Sequence, residues 1–184
     1  MKTLFPHPPR QVQETQASCS AVVYVDCAVT LQAALYQYAA QRAQATTPRV
    51  GATIMITRGF AVRVPIVIPE GCAGVTVQSS GKFAISAIGV VEALFDVSAK
   101  RVSIVDLNVV RTDELNKFGI FVRVPDSGIQ GADLLAILNN AVDCDQTFVD
   151  NDGSATFALL SGNTKVVTGL GSGLEDYVIA SLGC

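Results

Sequence analysis

Hydrophobic and polar positions change period once along the chain, near Gly51. Between Val29 and Gln44 the residues Val29, Leu31, Ala34, Leu35, Tyr38, Ala39 and Arg42 recur at three- and four-residue steps, the period of one helix face. Alanine and glutamine raise the helical propensity of this stretch, and Asp26 stands where a capping residue is expected. Thr46-Thr47-Pro48 ends it, because proline cannot continue the hydrogen-bond ladder and restricts the residue before it. Ahead of the helix, Ala21-Val22-Val23-Tyr24-Val25 reads as a short strand.

Past Gly51 no second helical pattern occurs. Short β-rich runs follow one another: Thr53 to Thr57, Pro65 to Pro69, Gly74 to Gln78, Phe83 to Ile88, Leu94 to Val97 and Val102 to Leu107. They end in turn formers such as Thr57-Arg58-Gly59, Pro69-Glu70-Gly71, Ser79-Ser80-Gly81, Ser98-Ala99-Lys100, Asn139-Asn140 and Ser161-Gly162-Asn163. This rhythm predicts an all-β protein and fits either a sandwich or a solenoid of stacked strands.

Two features favour the solenoid. Ile66-Val67-Ile68 and Val75-Thr76-Val77 carry small or β-branched residues on both faces, and the connections up to Val110 lack the Asn-Gly or Asp-Gly pairs of tight hairpins. The chain also echoes itself. Leu94-Phe95-x-Val97, followed by Val102 to Leu107, returns as Ile120-Phe121-x-Arg123, followed by Ala132 to Ile137. The distances from Leu94 to Ile120 and from Val102 to Ala132 suit one solenoid round and not a hairpin.

With Asp26, the helix core Leu31-Gln32-Ala33-Ala34-Leu35, Gly51 to Ile56, Ile66 to Gly71, Val75 to Gly81 and Leu94 to Val109, the segment from Asp26 to about Val110 resembles the amino-terminal part of the pectate-lyase-like, right-handed β-helix superfamily. The resemblance covers a little under half of the chain and carries no catalytic signature. It implies a short right-handed single-stranded parallel β-helix with an N-terminal capping α-helix. The division that follows is an extended arm over 1–18, a strand and capping helix over 19–50, and β-helix rounds with a C-terminal strand over 51–184. The run Tyr177 to Leu182 is placed to pair with or cover the last round. Members of the superfamily include pectate lyases, polygalacturonases, alginate epimerases and bacteriophage tailspikes.

Composition narrows this picture. Of 184 residues 49% are hydrophobic and 16% are charged, with mean hydropathy +0.40; roughly 25% charged is usual for soluble domains. No apolar run approaches the ~18 residues that span a bilayer, so the excess points to faces covered by partner subunits. A net charge of −3 with scattered lysines and arginines argues against a nucleic-acid groove. Met1 to Phe5 runs at once into Pro6-His7-Pro8-Pro9-Arg10, leaving no apolar core for a secretion signal, so a chain made in a host cytoplasm is expected. The five cysteines (Cys19, Cys27, Cys72, Cys144 and Cys184) have no C-x-x-C spacing. They read as small buried side chains, with an inter-subunit disulfide as the lesser alternative.

Catalytic candidates are few. Glycoside cleavage needs two carboxyl groups about 5–9.5 Å apart, and rounds stacked at ~4.8 Å would supply that spacing. The candidates are Asp96 with Asp106, or Asp143, Asp145, Asp150 and Asp152; each set reads equally as outward or loop carboxylates. Lyase chemistry of the superfamily type would call on a calcium site and a base such as Lys100, Arg101 or Arg123, but no dense acidic cluster matches. The one histidine, His7, lies in the arm, and Gly169 to Gly173 reads as a turn. No cofactor or metal motif is present, the chain has no tryptophan, and only four tyrosines offer phenol rings for sugar stacking.

These observations lead to the expectation of a non-catalytic bacteriophage structural protein. It would be a homotrimeric capsid decoration or cement protein, located in the virion, whose partners are the major capsid protein or other virion subunits. Residues 1–18, with three prolines and no apolar periodicity, take order only from what they lie on. Phe5, Pro6, Pro8, Pro9 and Arg10 are the candidate contact residues. The alternatives are a tailspike or tail-appendage protein binding host polysaccharide, and a small polysaccharide lyase or hydrolase.

Overall fold

A computed structural model of the protein describes residues 21–45, 51–110, 117–124, 135–143, 147–151 and 158–165. The arm with Phe5, Pro6, Pro8, Pro9 and Arg10, the helix stop at Thr46-Thr47-Pro48, and the run Tyr177 to Leu182 lie outside the described residues.

The described residues open with strand β1 (Val22–Val25) and one helix, α1 (Ala28–Gln44). Cys27, not Asp26, is the N-cap. Its thiol accepts from the Thr30 amide at 3.4 Å while the Thr30 hydroxyl accepts from the Cys27 amide at 3.1 Å, a reciprocal capping box. The Asp26 carboxylate instead accepts from the Thr30 hydroxyl at 3.2 Å. Leu31 and Leu35 are the fully buried residues of α1, whereas Val29 is 77% exposed.

All the other described elements are strands and one 3-10 turn, Glu70–Cys72. The first round consists of β2 (Thr53–Ile56), β3 (Phe60–Val62) and β4 (Ile66–Ile68). The second is β5 (Thr76–Ser79), β6 (Ala84–Ala87) and β7 (Val90–Val97); the third is β8 (Ser103–Val105), β9 (Asn108–Val109) and β10 (Lys117–Val124). The fourth is β11 (Leu135–Leu138), β12 (Ala141–Val142) and β13 (Thr147–Asn151), and β14 (Ala158–Ser161) and β15 (Thr164–Lys165) begin a fifth. Each round contributes one strand to each of three sheets. The first sheet has the order β1-β2-β5-β8-β11-β14, the second β15-β12-β9-β6-β3 and the third β13-β10-β7-β4, and every pairing is parallel. The described residues are thus mostly β-strand in parallel sheets with a single helix.

Ala93 to Phe95, Ile120 to Val122 and Leu135 to Ile137 are buried at consecutive positions, whereas alternation along most strands turns one side chain in two towards a shared interior. Ile54, Ile56, Val62, Ile66, Ile68, Val77, Ile85, Phe95, Ile104, Val109 and Ile137 stack there, each at most 2% exposed. Burying one such side chain contributes about 1.5–3 kcal/mol. Phe95 and Phe121 meet edge to face with ring centroids 5.9 Å apart, a geometry that aromatic quadrupoles favour.

Register corrects the internal echo. Val122, not Phe121, lies opposite Phe95, and Ala136, not Asp133, lies opposite Ser103. The two phenylalanines resemble register partners because they touch, but they touch diagonally. The shortest rounds run from Thr53 to Thr76 and from Leu135 to Ala158. At the start of the first, Gly51 lies against Gly74, where a Cβ on Gly51 would overlap the Gly74 carbonyl oxygen.

Helix α1 closes the end of the stack. The Gln32 side-chain amide donates to the Val67 carbonyl and accepts from the Val67 amide, both at 2.8 Å, as a further strand beside β4 would. Arg42 donates to the Ala73 carbonyl at 2.7 Å, and the buried Cys72 thiol donates to the Leu35 carbonyl at 3.2 Å. An exposed sheet edge invites pairing, and at β4 the helix removes that opportunity.

A candidate binding groove at one corner

The connection from the first sheet to the second has three residues in the first round (Thr57 to Gly59), four in the second and two in each later one. Ser80 to Phe83 join β5 to β6, whereas Asp106-Leu107, Asn139-Asn140 and Gly162-Asn163 make the later corners. A two-residue corner forces one residue into the left-handed region. Asp106 (φ 57°), Asn139 (φ 56°) and Gly162 (φ 64°) occupy it in register. Asp and Asn tolerate this conformation best among residues with side chains, and at Gly162 a Cβ would overlap the Asn139 side-chain oxygen.

The second residue of each later corner turns inward. Asn140 is 1% exposed and Asn163 6%, and together they form a ladder. Asn140 Oδ1 accepts from the Leu107 amide at 2.9 Å, and its Nδ2 donates to the Ile104 carbonyl at 3.0 Å. One round on, Asn163 Oδ1 accepts from the Asn140 amide at 3.0 Å and from Asn140 Nδ2 at 2.9 Å. Its own Nδ2 donates to the Ile137 carbonyl at 2.6 Å. A buried amide makes every backbone group at these corners count.

The longer Ser80–Phe83 loop overhangs the tight corners and leaves a groove of about 590 Å³. Ser80, Lys82, Asp106, Asn108, Asn139 and Thr164 supply its polar lining. Asp106 accepts from Gln78 Nε2 at 3.0 Å, the Ser80 hydroxyl donates to the Ile56 carbonyl at 3.1 Å, and the exposed Lys82 stands on the rim. The Phe83 ring lies against Gly81 and is 36% exposed. Hydroxyls and amides around one carboxylate and one ammonium suit a polar ligand, while two-carboxyl hydrolysis lacks its second carboxylate among the described lining residues.

Comparison with protein-family models, with curated proteins and with solved structures finds no match to this chain.

Among the described residues, Asp96 and Asp106 are not brought together. Asp106 is at the corner, but Asp96 is on β7 in the third sheet, where Arg123 grips it through Nε at 2.7 Å and Nη2 at 3.0 Å. Arg123 also reaches Glu92 at 2.9 Å, and these carboxylates, Asp96 foremost, push its pKa further up. Asp150 lies on β13 in register with Arg123, while Asp143 is buried at the end of β12, its amide bonded to the Val109 carbonyl at 3.0 Å. Asp145, Asp152 and His7 lie outside the described residues. Of the candidate bases, Arg123 is engaged as above, and Lys100 and Arg101 sit at the corner between the third and first sheets.

No group of three or more His, Cys, Asp or Glu able to hold a metal occurs among the described residues, nor is any helix among them long and apolar enough to cross a membrane. Cys27 and Cys72 are free thiols. Hydrogen bonds from Thr30 lower the pKa of Cys27, and burial pushes that of Cys72 up to about 11. In the sequence, Asn139-Asn140 and Ser161-Gly162-Asn163 read only as turns. The signal for the ladder is the step from Asn140 to Asn163, equal in length to the shortest rounds.

Proposed function

We propose that the rotating strands form a short right-handed, single-stranded parallel β-helix capped by α1. In this reading the chain is a non-catalytic structural protein of a bacteriophage particle, a homotrimer that clamps capsid subunits through residues 1–18. The observation that carries the reading is the rotation of parallel strands through three sheets around a largely apolar interior. Asp96 on the third sheet and Asp106 at the first-to-second-sheet corner stand apart, which supports the non-catalytic reading. The resemblance of Asp26 to Val110 to a superfamily that includes tailspikes supplies the viral setting, and sparse charge supplies the expectation of covered faces. Extended arms add contact area without adding core, and tethering lets several weak contacts sum to firm retention.

The test is solution mass by light scattering, with and without residues 1–18, followed by co-sedimentation with capsids. A trimer in both forms, with capsid binding lost on truncation, is the expected result; a monomer in both forms overturns the reading. The polar groove and the neighbouring Phe83 ring favour a second reading, in which a tail-appendage protein holds host polysaccharide. Saturable binding of a cell-surface polysaccharide, abolished by Lys82→Glu, would establish it in place of the first.

A further inference from the structure

Polar side chains along the corner groove come one or two to a round and step with the stack. Lys82 belongs to the second round, Asp106 and Asn108 to the third, Asn139 to the fourth and Thr164 to the fifth. Asp106 stands in register with Asn139, and Asn108 with Thr164 two rounds on. Three steps of ~4.8 Å give the row a length of about 14 Å along the axis. The inward asparagines of this corner are fully engaged, but the row is not. Among the described residues, the side chains of Lys82, Asn108, Asn139 and Thr164 have no hydrogen-bond partner, and Asp106 is held only through Oδ2, by Gln78.

A row of this kind fits a chain that itself repeats. Amides, a hydroxyl, a carboxylate oxygen and an ammonium offer donors and acceptors along its length, which hydroxyl groups match. A peptide would seek backbone partners, and the corner backbone is taken: Asn140 holds the Leu107 amide, while the Asp106 and Asn139 amides donate to the Leu138 and Ser161 carbonyls. A nucleic acid would need a line of cations along its phosphates, and Lys82 is the one cation among the described lining residues. An acidic glycan would bring its carboxylates against Asp106 in the middle of the row, where like charges repel. At the loop end the partly exposed Phe83 ring offers a face on which one sugar ring can stack.

We propose that the groove binds a neutral, linear oligosaccharide lengthwise, its first sugar on Phe83 and later ones passing Asp106 and Asn139 towards Thr164. This rests on the second reading above and narrows it, from host polysaccharide in general to chains without acidic groups, held at the corner and not on a sheet face.

The test is binding of the full chain to arrayed cell-surface polysaccharides, neutral and acidic, followed by calorimetric titration with a size series of oligosaccharides cut from the one bound best. Affinity is expected to rise with oligosaccharide length until the chain spans the row and then to level off. Phe83→Ala should weaken every member of the series about tenfold. Thr164→Val, at the far end of the row, should weaken only the longest members, by about fivefold; Asn108→Ala serves in its place if that variant lacks a cooperative melt. Asp106→Asn keeps a residue that tolerates the left-handed corner and should admit acidic chains that the natural protein rejects. A preference of the natural chain for acidic glycans, affinity independent of length, or an equal loss at every length from the far-end variant would overturn the lengthwise neutral site and leave the second reading standing. No saturable binding of any polysaccharide would overturn both.

Discussion

The helix-capped end and the asparagine corner meet the same need with the same functional group. At both, a side-chain amide stands in for a peptide and satisfies one backbone N–H and one C=O: Gln32 at Val67, and Asn140 at Leu107 and Ile104. They differ in burial and repetition. Gln32 and Val67 are half-buried, so water can replace a lost bond, whereas Asn140 is closed off and Asn163 repeats it one round later. The same chemistry therefore ends the stack in one place and propagates it in the other, and burial sets how much each is worth.

The largest effect is expected at the ladder. Asn140→Leu leaves the Leu107 amide and the Ile104 carbonyl without partners in the interior and should cost about 3–4 kcal/mol, read from the denaturant midpoint. Combined with Asn163→Leu, the loss should fall short of the sum of the single losses by about 1 kcal/mol, because the two amides share a hydrogen bond. Strict additivity would mean the ladder is two separate corners.

The next effect lies at the closed end and is pH-dependent. Burial raises the Cys72 thiol from its usual 9.0 to about 11, so the folded state holds this proton more tightly than the unfolded chain. The corresponding stability is fully present below pH 9 and disappears as pH rises through about 11. The natural chain should therefore lose about 2–3 kcal/mol relative to Cys72→Ala across that window; parallel stability curves for the two proteins would refute it. Gln32→Leu should cost less, about 1–2 kcal/mol, since Val67 can reach solvent. A loss as large as that of Asn140→Leu would erase the contrast between the two amides. The smallest effect is expected for Cys27→Ala, which removes a half-buried N-cap and should lower the thermal midpoint by no more than about 2–4 °C.

Much of the strand layout was legible because β-branched runs and turn residues alternate cleanly after Gly51, and α1 was legible from the three- and four-residue spacing of Val29, Leu31, Ala34, Leu35, Tyr38, Ala39 and Arg42. Register was not. Rounds differ in length, the one from Ser103 to Ala136 being longer than the one from Thr53 to Thr76, so an offset read from look-alike phenylalanines slips by one. The groove was hidden for a related reason: it arises from the difference between the Ser80–Phe83 connection and its two-residue successors, and no residue in it is unusual by type. The cap escaped notice because a cysteine occupies a position where aspartate is the commoner choice.

Variable connections on constant strands make height and girth independent in this molecule. Each round adds one strand spacing, ~4.8 Å, along the axis whether the round is short or long, because the added residues leave the ladder and swell the circumference. The stack is a ruler with interchangeable beads on its edges. Trimming Ser80 to Phe83 to the length of the later corners would fill in the concavity and leave the ruler unchanged; lengthening Asn139-Asn140 would interrupt the amide ladder and spoil the ruler itself.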